Sequence, residues 1–138
     1  MGLNGSGKTT ICKLLLRFYE PTSGSILING TDIADYSREA LYKRFSALFQ
    51  DFAKFERSLG DNITFGAVGG FTDDDSQAAT AALNMVALNY LKEELPQGFD
   101  TILGRRFDGG QQLSIGQWQR LATARALYKK PGLLVLDE

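Results

Sequence analysis

Apolar residues recur at Ile11, Leu14, Leu15 and Phe18, the i, i+3, i+4, i+7 spacing that puts them on one face of a helix, and Pro21 closes the segment. The pattern predicts a helix from Lys8 to about Tyr19, opened by the glycine-rich run "GLNGSGKTT". The stretch "GSILING" then reads as a short strand ending in Asn29-Gly30, the dipeptide suited to a tight hairpin, with Thr31 to Ile33 as the return strand. Ser37 is placed to cap a short helix through Lys43, and "FSALFQ" follows as a buried strand with Gln50 at its carboxyl end.

The pattern changes beyond Gln50. An insertion from roughly Ser58 to Leu95 reads as mostly helical: Thr72 and the acidic Asp73, Asp74 and Asp75 suit a helix N-terminus, and Ala79, Ala82, Leu83 and Val86 continue as an apolar stripe. Pro96-Gln97-Gly98 breaks it, and a polar, glycine-rich loop leads to Leu113. Ser114-Ile115-Gly116-Gln117 has the S-x-x-Q form of a capping box and starts a helix that runs to Lys129 and Lys130, where Pro131-Gly132 stops it. "LLVLDE" closes the chain as a buried strand ending in two carboxylates.

Composition narrows the function classes. Hydrophobic residues make up 43% of the 138 and charged residues 22%, an ordinary globular balance that argues against a disordered chain. Lys and Arg total 15 against 16 Asp and Glu, so the chain lacks the positive excess that neutralises a nucleic-acid backbone, and no nucleic-acid partner is expected. One cysteine, Cys12, and no histidine exclude an internal disulfide and make zinc chemistry a poor fit. Cys12 itself reads as a small packed hydrophobe. Apolar runs such as Leu133 to Leu136 fall far short of the ~20 residues a bilayer-spanning helix needs.

The chemistry is concentrated in few places. Gly2 to Thr9 matches G-x-x-x-x-G-K-[ST] in full. Gly5 and Gly7 let backbone N–H groups turn toward a phosphate, Lys8 adds a positive charge for the β and γ phosphates, and the Thr9 hydroxyl is a ligand for Mg²⁺. The helix start adds its own partial positive charge. A strand ending in Asp137 and Glu138 is common on its own; paired with this loop, Asp137 is a candidate to hold Mg²⁺ through water and Glu138 to polarise an attacking water. Gln50, at the end of a strand expected in the same sheet, is a candidate for Mg²⁺ or that water. At Ser114 and Gln117 a capping box accounts for both residues without any ligand, while Gly116 beside a capped helix start also suits close phosphate approach.

Taken in order, "GLNGSGKTT", Gln50, "LSIGQWQR" and "LLVLDE" resemble the nucleotide-binding domain of ATP-binding cassette (ABC) transporters over the whole chain. "FQDFAKFERSLGDNITFG" and "LPQGFDTILGRRFDGGQQLS" resemble the exporter-type branch. The resemblance implies an α/β fold: an incomplete P-loop NTPase core, residues 1–50 and 131–138, carrying an inserted helical subdomain at about 51–130. It implies ATP and Mg²⁺ as cofactors. Nucleotide contacts fall on Gly2, Asn4, Gly5, Ser6, Gly7, Lys8, Thr9 and Thr10, metal contacts on Thr9, Gln50 and Asp137, and catalysis on Glu138, Lys8 and Gln50. In the implied ATP sandwich two such domains meet head to tail, with Ser114, Gly116 and Gln117 of one facing the Lys8 loop of the other. Closure of the pair drives transmembrane domains from the cytoplasmic face of the membrane, to which this domain is peripheral or fused.

Two departures stand out. Ile115 replaces the middle glycine of the LSGGQ form, and Arg105 stands where exporters often carry an acidic residue. A strand before the loop, an adenine-stacking aromatic upstream of it, and a D-loop and switch histidine after Glu138 belong to the family pattern. Their expected place is outside Met1 and Glu138, so the chain reads as truncated at both ends, and a GUG valine codon taken as a start would account for Met1. Such a piece is expected to be inactive in isolation, and the alternative reading is a nonfunctional remnant or an ATP-binding module without turnover. A DNA-maintenance ATPase with a related signature would need a long coiled coil between its Walker motifs, for which the distance from Lys8 to Asp137 leaves no room.

Overall fold

The computed structural model describes residues 7–65, 70–106 and 108–136, with Lys8 described in its backbone only. The chain divides into two compact units, one formed by Met1–Gln50 with Pro131–Glu138 and the other by Asp51–Lys130.

In the first unit, helix α1 (Lys8–Leu15) starts where the sequence pattern predicts and ends earlier. Arg17 takes a left-handed φ of 54°, which stops the helix before Phe18 and leaves that ring exposed. The inward residue is therefore Leu16, at 4% exposure, and not Ile11, at 57%. Strands β1 (Leu27–Ile28) and β2 (Thr31–Asp32) form the antiparallel hairpin, with Asn29 at φ 51° and Gly30 at φ 84°. Two consecutive positive φ values are what a type I′ turn requires, which is why Asn-Gly stands there. The return strand is shorter than the sequence implies, because the Asp32 carboxylate accepts the Ala34 N–H at 2.9 Å and starts a 3₁₀ turn, Ile33–Asp35.

Helix α2 (Arg38–Arg44) is capped by the Ser37 hydroxyl, which accepts the Ala40 N–H at 3.1 Å. It leads directly into β3 (Phe45–Leu48), which pairs in parallel with β4 (Leu133–Leu136) in the register Phe45↔Leu133 to Leu48↔Leu136. Leu16, Ile33, Leu41 and Phe45 form the small core of this unit, and the Arg17 guanidinium donates to the Tyr36 carbonyl at 2.8 Å across it.

The second unit is helical, with α3 (Leu59–Thr64), α4 (Ser76–Met85), α5 (Leu91–Glu94) and α6 (Ile115–Tyr128). Both α3 and α4 pack on α6. Ala79 and Ala82 of α4 and Ala124 of α6 are buried, and such small side chains let helices approach closely. Leu59, Ile63, Leu83, Leu103 and Leu121 are fully enclosed; burying each contributes about 1.5–3 kcal/mol. Asp73–Asp75 forms a 3₁₀ turn before α4, with Thr72 and Asp75 exchanging capping hydrogen bonds. No helix among the described residues is long and apolar enough to cross a membrane.

Candidate functional site

Gly7 is the N-cap of α1, with φ 81° and ψ 9°, and its carbonyl accepts the Ile11 N–H at 3.0 Å. The left-handed backbone at Gly7 by itself calls for glycine. Among the described residues no side-chain hydrogen bond caps this helix start, and its first turn carries no acidic residue. The start of a helix carries a partial positive charge, which favours an anion. Thr9 and Thr10 are exposed in that first turn. The Lys8 side chain, together with Gly2, Asn4, Gly5, Ser6, Asp137 and Glu138, lies outside the described residues.

Because β3 and β4 are parallel and in register, their carboxyl ends lie side by side at Leu48 and Leu136. Gln50 leaves from that edge with its side chain exposed. Ligands of open α/β sheets collect at strand carboxyl ends, so the unit presents its polar residue where such chemistry occurs.

The second unit carries the other predicted residues. The Ser114 hydroxyl accepts the Gln117 N–H at 3.2 Å, while the Gln117 Oε1 accepts the Ser114 N–H at 2.8 Å, so the capping box forms in both directions. Gly116 is exposed, has an ordinary helical φ, and leaves open space where a Cβ would sit. Glycine is a poorer helix former than alanine, and nothing among the described residues of this unit requires it. Ile115 beside it is 75% exposed.

Sequence reasoning missed a polar network on the far half of α6. The Arg125 guanidinium donates from Nε to the Asn62 carbonyl (2.8 Å), from Nη2 to Asn62 Oδ1 (3.0 Å) and from Nη1 to the Ala53 carbonyl (3.2 Å). Phe55 and Phe65 stack with centroids 3.8 Å apart, and Arg125 Cζ lies 4.6 Å from the Phe55 centroid, in cation–π range. Desolvation lowers the Arg125 pKa to about 10, so it remains charged at neutral pH. The Tyr128 hydroxyl donates to Asp75 at 2.5 Å; this bond is the main cause that holds the Asp75 carboxyl below its ordinary value and raises Tyr128 to about 12. The partners lie 63 and 53 residues apart, so no local pattern announces them.

The whole chain, residues 1–138, matches the ABC transporter family. It is 43% identical over all of its length to the subtilin transport ATP-binding protein SpaT of Bacillus subtilis, and 45% identical to the ATP-dependent lipid A-core flippase of Alkalilimnicola ehrlichii. In both cases it spans 22% of the relative. A bacterial Atm1-family ABC exporter solved with ATP bound superposes with a TM-score of 0.82 at 39% identity, over 99% of this chain and 23% of the exporter. The chain belongs to the ABC transporter family, and its fold is that of the nucleotide-binding domain, a P-loop NTPase.

Proposed function

We propose that this chain binds ATP and contributes to its hydrolysis as part of the nucleotide-binding domain of an exporter-like ABC transporter. Residues 1–50 and 131–138 supply the P-loop core and residues 51–130 the helical subdomain. The observation that carries the reading is the start of α1: a complete G-x-x-x-x-G-K-[ST] run whose last glycine takes a left-handed turn into a helix N-terminus. Relatives whose names include a lipid A-core flippase and an iron-sulfur clusters transporter support export coupled to ATP.

In this reading the backbone amides of Gly5, Ser6 and Gly7, with those of Lys8, Thr9 and Thr10, cradle the phosphates. Gly2 and Asn4 form the rest of the loop, and Lys8 balances the charge. Thr9, Gln50 and Asp137 offer the hard oxygen donors that Mg²⁺ prefers. When bound, Mg²⁺ neutralises charge on the phosphates. Glu138 polarises the attacking water, with Gln50 orienting it. A second nucleotide-binding domain supplies Ser114, Gly116 and Gln117 across the nucleotide, and transmembrane domains take up the motion of closure at the cytoplasmic face.

The test is ATP turnover by the full-length protein containing this sequence, in lipid vesicles. Lys8→Met is expected to reduce turnover at least about 100-fold, and Glu138→Gln to abolish turnover while ATP binding survives, as loss of groups acting on the transition state predicts. Turnover unchanged by both substitutions refutes the assignment.

A further inference from the structure

The Gln117 amide has a second partner outside the capping box. Its Nε2 donates to the Tyr90 hydroxyl at 3.2 Å while its Oε1 accepts the Ser114 N–H, so both polar atoms of the amide are engaged within the Asp51–Lys130 unit. One turn further along α6, Arg120 Nη1 donates to the Ala87 carbonyl at 3.0 Å. Gln117 and Arg120 stand at i and i+3, on one face of the helix, and both hold the turn formed by residues 86–90. That turn is strained: Ala87 sits at φ 53°, a left-handed value that costs a residue with a Cβ about 1–2 kcal/mol relative to glycine. The Tyr90 ring packs against the buried core of the unit, so its hydroxyl is held on a fixed support.

We propose that Tyr90 is a positioning residue for the nucleotide-facing start of α6. Its hydroxyl fixes the orientation of the Gln117 amide; the amide fixes the Ser114 N–H; and the Ser114 hydroxyl and Gly116 backbone are thereby held ready for phosphate. Gln117 then acts chiefly through Ser114 and less as a ligand in its own right. This rests on the proposed ATPase reading.

The test uses Tyr90→Phe, which removes one oxygen and keeps the packed ring, with Gln117→Ala and the double variant, all in the full-length protein. Tyr90→Phe is expected to raise the KM for ATP about fivefold, the worth of one neutral hydrogen bond, with kcat changed less than about twofold. Gln117→Ala is expected to raise KM further, and the double variant to match Gln117→Ala alone, because Tyr90 works through that amide. A purely structural role predicts a lower melting temperature with KM unchanged, or additive effects in the double variant; either overturns the proposal. Backbone hydrogen exchange of residues 114–118, measured without nucleotide, separates this failure from failure of the ATPase reading. Even if the parent protein hydrolyses no ATP, Tyr90→Phe is expected to speed exchange at Ser114 about fivefold, and unchanged exchange overturns the positioning role.

Discussion

Replacing Asn62 removes the hub of the polar network in the helical unit. Its side chain is fully enclosed, and Nδ2 lies within hydrogen-bond reach of the carbonyls of Phe55 (2.8 Å), Arg57 (3.2 Å) and Ser58 (3.0 Å). Two N–H groups serve those three acceptors, so they amount to about two neutral bonds at ~1 kcal/mol each, and the bond from Arg125 to Oδ1 adds ~2 kcal/mol because it is charge-assisted. Asn62→Ala is therefore expected to cost about 4 kcal/mol, a large share of the 5–15 kcal/mol that stabilises a typical domain. Trp118, the sole tryptophan, is buried in this unit and reports its urea unfolding by fluorescence. Asn62→Asp separates the two halves of the network. It keeps the shape and offers Arg125 a full negative charge, yet turns an oxygen toward carbonyls that need a donor. At neutral pH it is expected to be at least as damaging as Asn62→Ala. If Asn62→Asp unfolds within about 1 kcal/mol of the parent at neutral pH, the charge on Arg125 dominates and the reasoning about the carbonyls is wrong.

Two further outcomes follow from the same unit. Gly60 lies buried in α3, where an added Cβ would overlap the Phe71 ring at 2.6 Å from Cδ1. Gly60→Ala is expected to destabilise by about 1–3 kcal/mol despite its better helix propensity, and a smaller residue at position 71 should recover part of that loss in urea unfolding. Tyr128→Phe removes the bond to Asp75. Tyr128 has its folded pKa raised to about 12 from 10.0, so its contribution is complete below the unfolded value and disappears as pH climbs through this window. Asp75 is lowered, so its contribution is present above the unfolded value of 3.8 and fades in acid. The variant should therefore show a flatter alkaline limb and lose part of the acid limb when unfolding midpoints are measured across pH; limbs identical to the parent's would count against the bond.

Local chemistry was readable where a single residue type solves a backbone problem. Gly7, Asn29-Gly30, Ser37 and Ser114 each mark a turn or helix start, and the strands at 45–48 and 133–136 follow from short apolar runs bounded by breakers. The end of α1 was not readable. Its apolar spacing continues through Phe18, but Arg17 turns left-handed and Leu16, off the expected face, becomes the buried residue. Nor was the Asn62–Arg125 network, because Asn62 and Arg125 each look like ordinary surface helix residues until tertiary packing joins them. Of the candidate site, Gly7, Thr9, Gln50, Ser114, Gly116 and Gln117 are proposed from motif type and spacing. Tyr90 carried no motif, since what selects it is a single hydroxyl reaching a residue 27 positions away.

The pairing of β3 with β4 has a consequence for synthesis. Phe45 finds its partner at Leu133, that is 133 minus 45 or 88 positions later. At ribosomal speeds of ~5–20 residues per second, the earlier strand waits about 4–18 s with an open edge before its neighbour emerges. The segment Asp51–Lys130 carries its own core and is complete before Pro131 appears, so it can fold during that interval. Nascent chains arrested between Lys130 and Leu133 would thus leave the β3 edge that β4 covers open to intermolecular strand exchange.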